Sequence, residues 1–240
     1  VALASLSLTS CSDLDTAPEG HIITSDKKGE ILEEMPERGL AGVRAIFQGL
    51  SAYEPNYEAF GKIERHNDIG YPSVLMFTDA NTEDVVSDPN GYNWNGNSLD
   101  YSDRTYTSYE SQMVWNDHYN AIYVANTVIK GYNTGEDPTN EEARFFYAQG
   151  LAARAYFYFN LAQLYQFTYK DNETKPCIPV VTDENTAKSQ VEGTPCSTVE
   201  ETYTQIKSDI DHAITLLEGT SYEREDKRYI SLAVAYGIRA

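Results

Sequence analysis

Between positions 88 and 97 the chain reads Asp-Pro-Asn-Gly-Tyr-Asn-Trp-Asn-Gly-Asn, a run in which aromatic rings alternate with side-chain amides. Aromatic faces pack on the apolar C–H surface of a sugar ring, and planar amides match paired hydroxyls. Tyr92 and Trp94 can supply the first interaction; Asn93, Asn95 and Asn97 can supply the second. The same run also suits a surface turn whose Trp plugs a local hydrophobic hole, and both readings stay open. Catalysis finds less support. His21, His66, His118 and His212 lie in unrelated contexts, with neither HExxH nor nucleophile-elbow spacing, and His118 is expected to face solvent or cap a neighbouring contact. Acidic residues abound, but nothing singles out a glycosidase pair. Asp79-Ala80-Asn81-Thr82-Glu83 opens like a calcium loop, then has Asp84 where Gly is needed and Asn90 where Glu is needed. No metal, no cofactor and no enzymatic activity are expected.

The cysteines are Cys11, Cys177 and Cys196, too few for a disulfide scaffold and without zinc spacing. Cys11 follows Val-Ala-Leu-Ala-Ser-Leu-Ser-Leu-Thr-Ser, small and apolar residues without charge, like the tail of a secretory h-region. Leu8-Thr9-Ser10-Cys11 resembles a bacterial lipobox, in which the thiol accepts diacylglycerol. Residues 1–10 are therefore expected to be a signal-peptide remnant. The polar, turn-rich run after Cys11 suits a lipid-anchored tether over 11–35. Acyl chains hold a protein on a membrane without a spanning helix, and no stretch approaches the roughly 18–20 apolar residues of one. Cys177 and Cys196 flank an irregular excursion, so a disulfide can close it; alternatively each is a small buried residue.

These groups need elements to position them. The chain has 240 residues and a net charge of −19, from 18 Lys and Arg against 37 Asp and Glu. Such a charge repels phosphate backbones and excludes nucleic acid as a partner. Apolar residues at three- and four-residue steps (Leu40, Val43, Ile46, Phe47, Leu50, Tyr53) mark a first helix face after Pro36. A shorter run, Val74 to Phe77, follows Pro72. Residues 79–111 have no period and read as a long loop. Helical pattern returns with Trp115, Tyr119, Ile122, Tyr123 and Ile129. A capping box over Thr139–Glu142 opens a long helix whose buried stripe runs from Phe145 to Tyr165, with small Ala152 and Ala155 allowing close approach. After an irregular segment at 168–195, a second box over Ser197–Glu200 opens a helix ending at Gly219. A last helix begins near Tyr229 and runs to Ala240, so the chain ends inside an element. The fold class expected is mainly α, with tetratricopeptide-like helix pairs and long irregular loops.

At this point several motifs fall into a known order. Trp115-Asn116-Asp117-His118-Tyr119-Asn120-Ala121-Ile122-Tyr123-Val124-Ala125-Asn126 resembles the W…Y…I…aN pattern of the SusD/RagB-like family. Leu151 to Leu161 is similar to its RA-x-x-Y/F-x-x-L helix, through Arg154, Ala155, Tyr158 and Leu161. Ile178-Pro179-Val180-Val181 resembles its short "iPlv" strand. Ser197 to Leu217 resembles a further family helix, with Tyr203, Ile206, Asp209, Ala213 and Leu217 in place. Two positions depart: Gln166 stands where Gly is usual after Tyr165, and Cys196 stands where Arg is common after Pro195. Members are about twice this length, so residues 36–240 resemble a SusD-like helical domain truncated on its C-terminal side. The resemblance implies a nutrient-binding lipoprotein of the outer membrane, facing the exterior, that captures oligosaccharides, or in some branches peptides. It would deliver them to a TonB-dependent, SusC-like transporter, and it would be a binder rather than a hydrolase. The alternative is a helical-repeat scaffold or lid that binds another protein and no glycan.

Overall fold

A computed structural model describes residues 25–48, 67–86 and 91–240. Cys11, the signal remnant, the first part of the tether, Leu50, Tyr53 and Asp88 to Asn90 lie outside them. Among the described residues the elements are helices: α1 (Ser25–Glu34), a 3₁₀ turn (Pro36–Gly39), α2 (Leu40–Gln48), α3 (Tyr71–Ala80), α4 (Gly96–Leu99), α5 (Tyr109–Tyr132), α6 (Glu141–Tyr165), α7 (Thr186–Glu192), α8 (Val199–Glu218) and α9 (Leu232–Arg239). The mainly α expectation is borne out. The later part of the expected tether is itself helical, because Leu32 is buried and the Glu33 carboxylate caps another helix. It accepts the backbone N–H groups of Thr139 and Asn140, each at 2.9 Å.

The long helix α6 is the spine, packed most extensively against α8 and α5. Contacts with α5 pair Gly150 with Ile129, Asn126 with Arg154, Tyr119 with Tyr158 and Trp115 with Tyr165, so the two helices run antiparallel. Contacts with α8 run the same way, from Arg144 with Gly219 to Phe159 with Tyr203. Close approach rests on small residues. A Cβ on Gly150 would lie 2.9 Å from Ile129 Cγ1, and Ala152 and Ala155 are fully buried.

Helix starts follow from side-chain acceptors that satisfy the first free N–H groups. Asn140 Oδ1 accepts from Glu142 and Ala143 N–H, at 2.9 and 3.2 Å, with Glu141 and Glu142 placed at the positive end of the α6 dipole. At α8 the Thr198 hydroxyl accepts from Glu201 N–H, while the Glu201 carboxylate accepts from Thr198 N–H at 2.7 Å. That backbone bond holds the Glu201 carboxyl below its ordinary range. Both helices thus start one residue later than the sequence boxes placed them. Ser197 is already committed elsewhere: its N–H donates to Ile178 O at 2.9 Å beside an isolated antiparallel bridge between Pro176 and Thr198. No strand forms over residues 178–181, where a short extended segment was expected, and the bridge lies just before it.

Gln149 on α6 is fully buried and pairs with one backbone unit. Its Nε2 donates to Ile230 O at 2.9 Å, and its Oε1 accepts from Ile230 N–H at 2.7 Å. The carboxamide thus acts as a single rung of sheet that fastens the segment before α9 to the spine. Gln149→Leu orphans both backbone groups, and each buried orphan costs about 1–3 kcal/mol. The expected loss is about 2 kcal/mol or more, read as a lower urea midpoint at unchanged m. An unchanged midpoint would show that the rung is not holding that segment.

Candidate functional site

The site is assembled where α3 meets the loop between residues 91 and 108. Tyr71, at the start of α3, is buried among His118, Tyr156 and Phe157, with ring centroids 6.0, 6.3 and 6.2 Å away, and its hydroxyl bonds that of Tyr156. Burial, then the Tyr156 hydroxyl, pushes the Tyr71 phenol well up, so it stays protonated and keeps α3 pinned to α5 and α6. Asn81, just past α3, grips the loop. Its Nδ2 donates to Asp103 Oδ2 at 3.2 Å, and its Oδ1 accepts from Arg104 Nε at 3.1 Å. At the other side Asn67 Nδ2 donates to Trp94 O at 3.2 Å. Ser108 caps α5 and donates its hydroxyl to Asp103 O at 2.5 Å.

Within this brace the backbone is held in sparsely populated conformations. Gly91 and Asn93 have φ of 70° and 48°, and Tyr101 has φ of 62°, an uncommon value for an aromatic residue. The Arg104 guanidinium lies 4.1 Å over the Tyr101 ring, which helps to hold that turn. The left-handed Asn93 brings its two neighbours to one face. Tyr92 and Trp94 stack at 5.9 Å and 27°, and remain 86% and 48% exposed. Beside Trp94 opens a cavity of about 110 Å³ lined by Asn67, Ile69, Ser73, Met76, Phe77, Trp94 and Asn95.

The structure therefore brings Tyr92, Trp94 and Asn95 together and separates the other amides. Asn93 lies against Gly96, where an added Cβ would come within 2.3 Å of its Nδ2. Asn97 donates Nδ2 to Glu110 Oε1 at 3.3 Å. Sequence reasoning missed Asn67, Ser73, Met76 and Phe77: the apolar run on α3 was legible as a helix, but nothing in the sequence tied it to Trp94. His118 departs from expectation. It is fully buried, with Nδ1 3.3 Å from Asp117 Oδ2. Cys177 and Cys196 are free thiols. Cys177 is half-buried beside Thr202, with burial pushing its thiol up, and Cys196 is exposed.

A second polar cluster is structural. Arg154, 4% exposed on α6, makes a two-pronged bond to Asp209 of α8, with Nε and Nη2 each at 2.7 Å. Its Nη1 reaches Asn126 Oδ1 at 2.8 Å and Asp183 Oδ1 at 2.9 Å. The segment Ile178 to Asp183 is fastened alongside. Tyr119 donates to Pro179 O at 2.7 Å, Asn126 to Val181 O at 2.9 Å, and Tyr158 donates to Val181 O at 2.6 Å while accepting its N–H at 2.7 Å.

The chain belongs to the SusD-like family whose model, described as starch-binding and associating with the outer membrane, matches residues 69–239. The chain is similar to a crystal structure of a SusD-like carbohydrate-binding protein from Bacteroides vulgatus ATCC 8482, at 25% identity and a TM-score of 0.64, over 82% of this chain and 39% of that one. A laminarin-binding SusD-like protein shares the fold at 22% identity and a TM-score of 0.55, over 83% of this chain and 38% of that one. The chain thus spans about two fifths of the length of these solved structures. The sequence has no match among curated proteins.

Proposed function

We propose that this chain captures an oligosaccharide on the face formed by Tyr92 and Trp94 and, held at the outer membrane through lipid on Cys11, passes it to a TonB-dependent transporter. The observation that carries the reading is the stacked, exposed aromatic pair with an amide-rimmed cavity beside it. An exposed apolar patch beside a cavity marks a binding surface, and stacked rings of this kind match the C–H faces of pyranoses. Membership of a family described as starch-binding and the laminarin-binding relative add to the same reading.

The test is calorimetric titration of the full-length protein with α-glucan and β-glucan oligosaccharides. Saturable binding is expected. Absence of binding to any glycan, with co-purification of a barrel-forming membrane protein, would instead favour a structural lid, and product formation would overturn both. For the anchor, metabolic labelling with a fatty acid is expected to mark the protein and to be abolished in Cys11→Ala. Labelling that survives the substitution would refute a lipid on that thiol.

A further inference from the structure

The cavity beside Trp94 has a character that an unsubstituted glucan does not use. Its walls are Ile69, Met76, Phe77 and the Trp94 indole. Ser73, the polar residue inside, is already engaged: its hydroxyl donates to Asn67 O at 2.5 Å and accepts Ile69 N–H at 2.9 Å. A sugar hydroxyl pushed into that space would lose its water and find no partner, which is unfavourable. At about 110 Å³ the space exceeds the roughly 30 Å³ that one water occupies in the liquid, so it suits a small apolar group on a short arm.

The rim is different. Asn67 uses Nδ2 on Trp94 O, which leaves its Oδ1 as an acceptor. Asn95 lines the same opening. Two carboxamides at the mouth of an apolar hole complement a group that has an N–H and a C=O outside and a methyl at its tip. That group is acetamido.

We propose that the sugar seated against Trp94 is an N-acetylhexosamine, its ring on the indole, its methyl in the cavity and its amide paired with Asn67 and Asn95. The inference rests on the glycan-binding reading above and adds the class of sugar to it. A 6-deoxy sugar shares the methyl but lacks the amide, and the experiment separates the two.

The full-length chain is titrated with three oligosaccharides of equal length: β-1,4-linked N-acetylglucosamine, β-1,4-linked glucose, and one carrying a 6-deoxyhexose. The acetylated trisaccharide is expected to bind at least fivefold more tightly than either of the others. Met76 is half-exposed on α3, so Met76→Trp fills the cavity from its surface side without disturbing the helix. That variant is expected to lose the preference, so that it no longer distinguishes the acetylated trisaccharide from the glucose trisaccharide. Equal wild-type affinities, or a preference that survives Met76→Trp, would overturn the acetamido assignment, and so would equal binding of the 6-deoxy ligand. In each case binding that still depends on Trp94 leaves the glycan-capture reading standing. Binding of no glycan at all would remove both.

Discussion

Arg154→Ala is expected to lower the thermal midpoint by roughly 6–20 °C, the largest effect of any single substitution proposed for this chain. Breaking a buried ion pair from one side costs about 3–5 kcal/mol, and each kcal/mol moves the midpoint of a chain of this size by about 2–4 °C. The cost is high because the partners cannot escape to water. Asp209 is 3% exposed, and Asn126 and Asp183 lose the same donor. Burial already pushes the Asp209 carboxyl up, against the lowering exerted by Arg154. For Arg154 burial acts downward, but its bonds to Asp209 and then Asp183 outweigh it and keep the guanidinium charged. Without Arg154 the Asp209 carboxyl rises further. A carboxyl whose folded pKa lies above its unfolded value stabilises the fold below the unfolded pKa, and that contribution is lost as pH rises through the folded pKa. The variant should therefore regain stability on acidification relative to the wild type. Arg154→Met combined with Asp209→Leu should recover part of the loss, because it removes the Asp209 charge and leaves Asp183 with the bond from Asn133 Nδ2. Thermal denaturation followed by circular dichroism measures all three, and a single variant within about 2 °C of wild type would refute the keystone role.

The second large effect concerns ligand rather than fold. Trp94→Ala is expected to weaken glycan binding at least roughly 30-fold, the loss of about 2 kcal/mol typical of a central aromatic anchor. The fold should hardly change, since the indole is half-exposed and surface substitutions stay within about 0.5 kcal/mol. Trp94→Phe should keep part of the affinity, and Tyr92→Ala should cost less than Trp94→Ala because Trp94 lines the cavity and Tyr92 does not. The two sequence readings of this loop now separate cleanly. A platform loses binding and keeps stability, whereas a plug does the reverse. Parallel titration and melting of the same variant decides between them.

The spine helices were legible because their pattern is periodic and their ends carry capping residues. The one-residue slips at Asn140 and Thr198 arose where adjacent polar side chains compete for the cap, and only the three-dimensional path of Ser197 chooses. On α5 the buried stripe is Val114, His118, Ile122, Ala125 and Ile129, rotated from the stripe through Trp115 and Tyr119. His118, at a four-residue step from Ile122, falls on the buried stripe, while Trp115 and Tyr119 pack half-buried at its margin. The family motifs were visible as letters but not as a mechanism. Their polar members Asn126, Arg154 and Asp209 converge, with Tyr158, on the Val181 segment, which no spacing rule reveals because they lie on different helices. The candidate site was half legible. Tyr92 and Trp94 stood out by type, whereas the α3 wall depends on a tertiary meeting of segments.

Val181 belongs to no helix, and a segment of that kind ordinarily trades its amide hydrogens with solvent within seconds. Here the Tyr158 hydroxyl accepts its N–H, and Tyr158 and Asn126 both donate to its C=O. Its amide should instead exchange only when the helical spine itself opens, with protection matching that of mid-helix amides in α6. In timescale, then, this irregular stretch belongs with the slowest-opening unit of the molecule rather than with its loops.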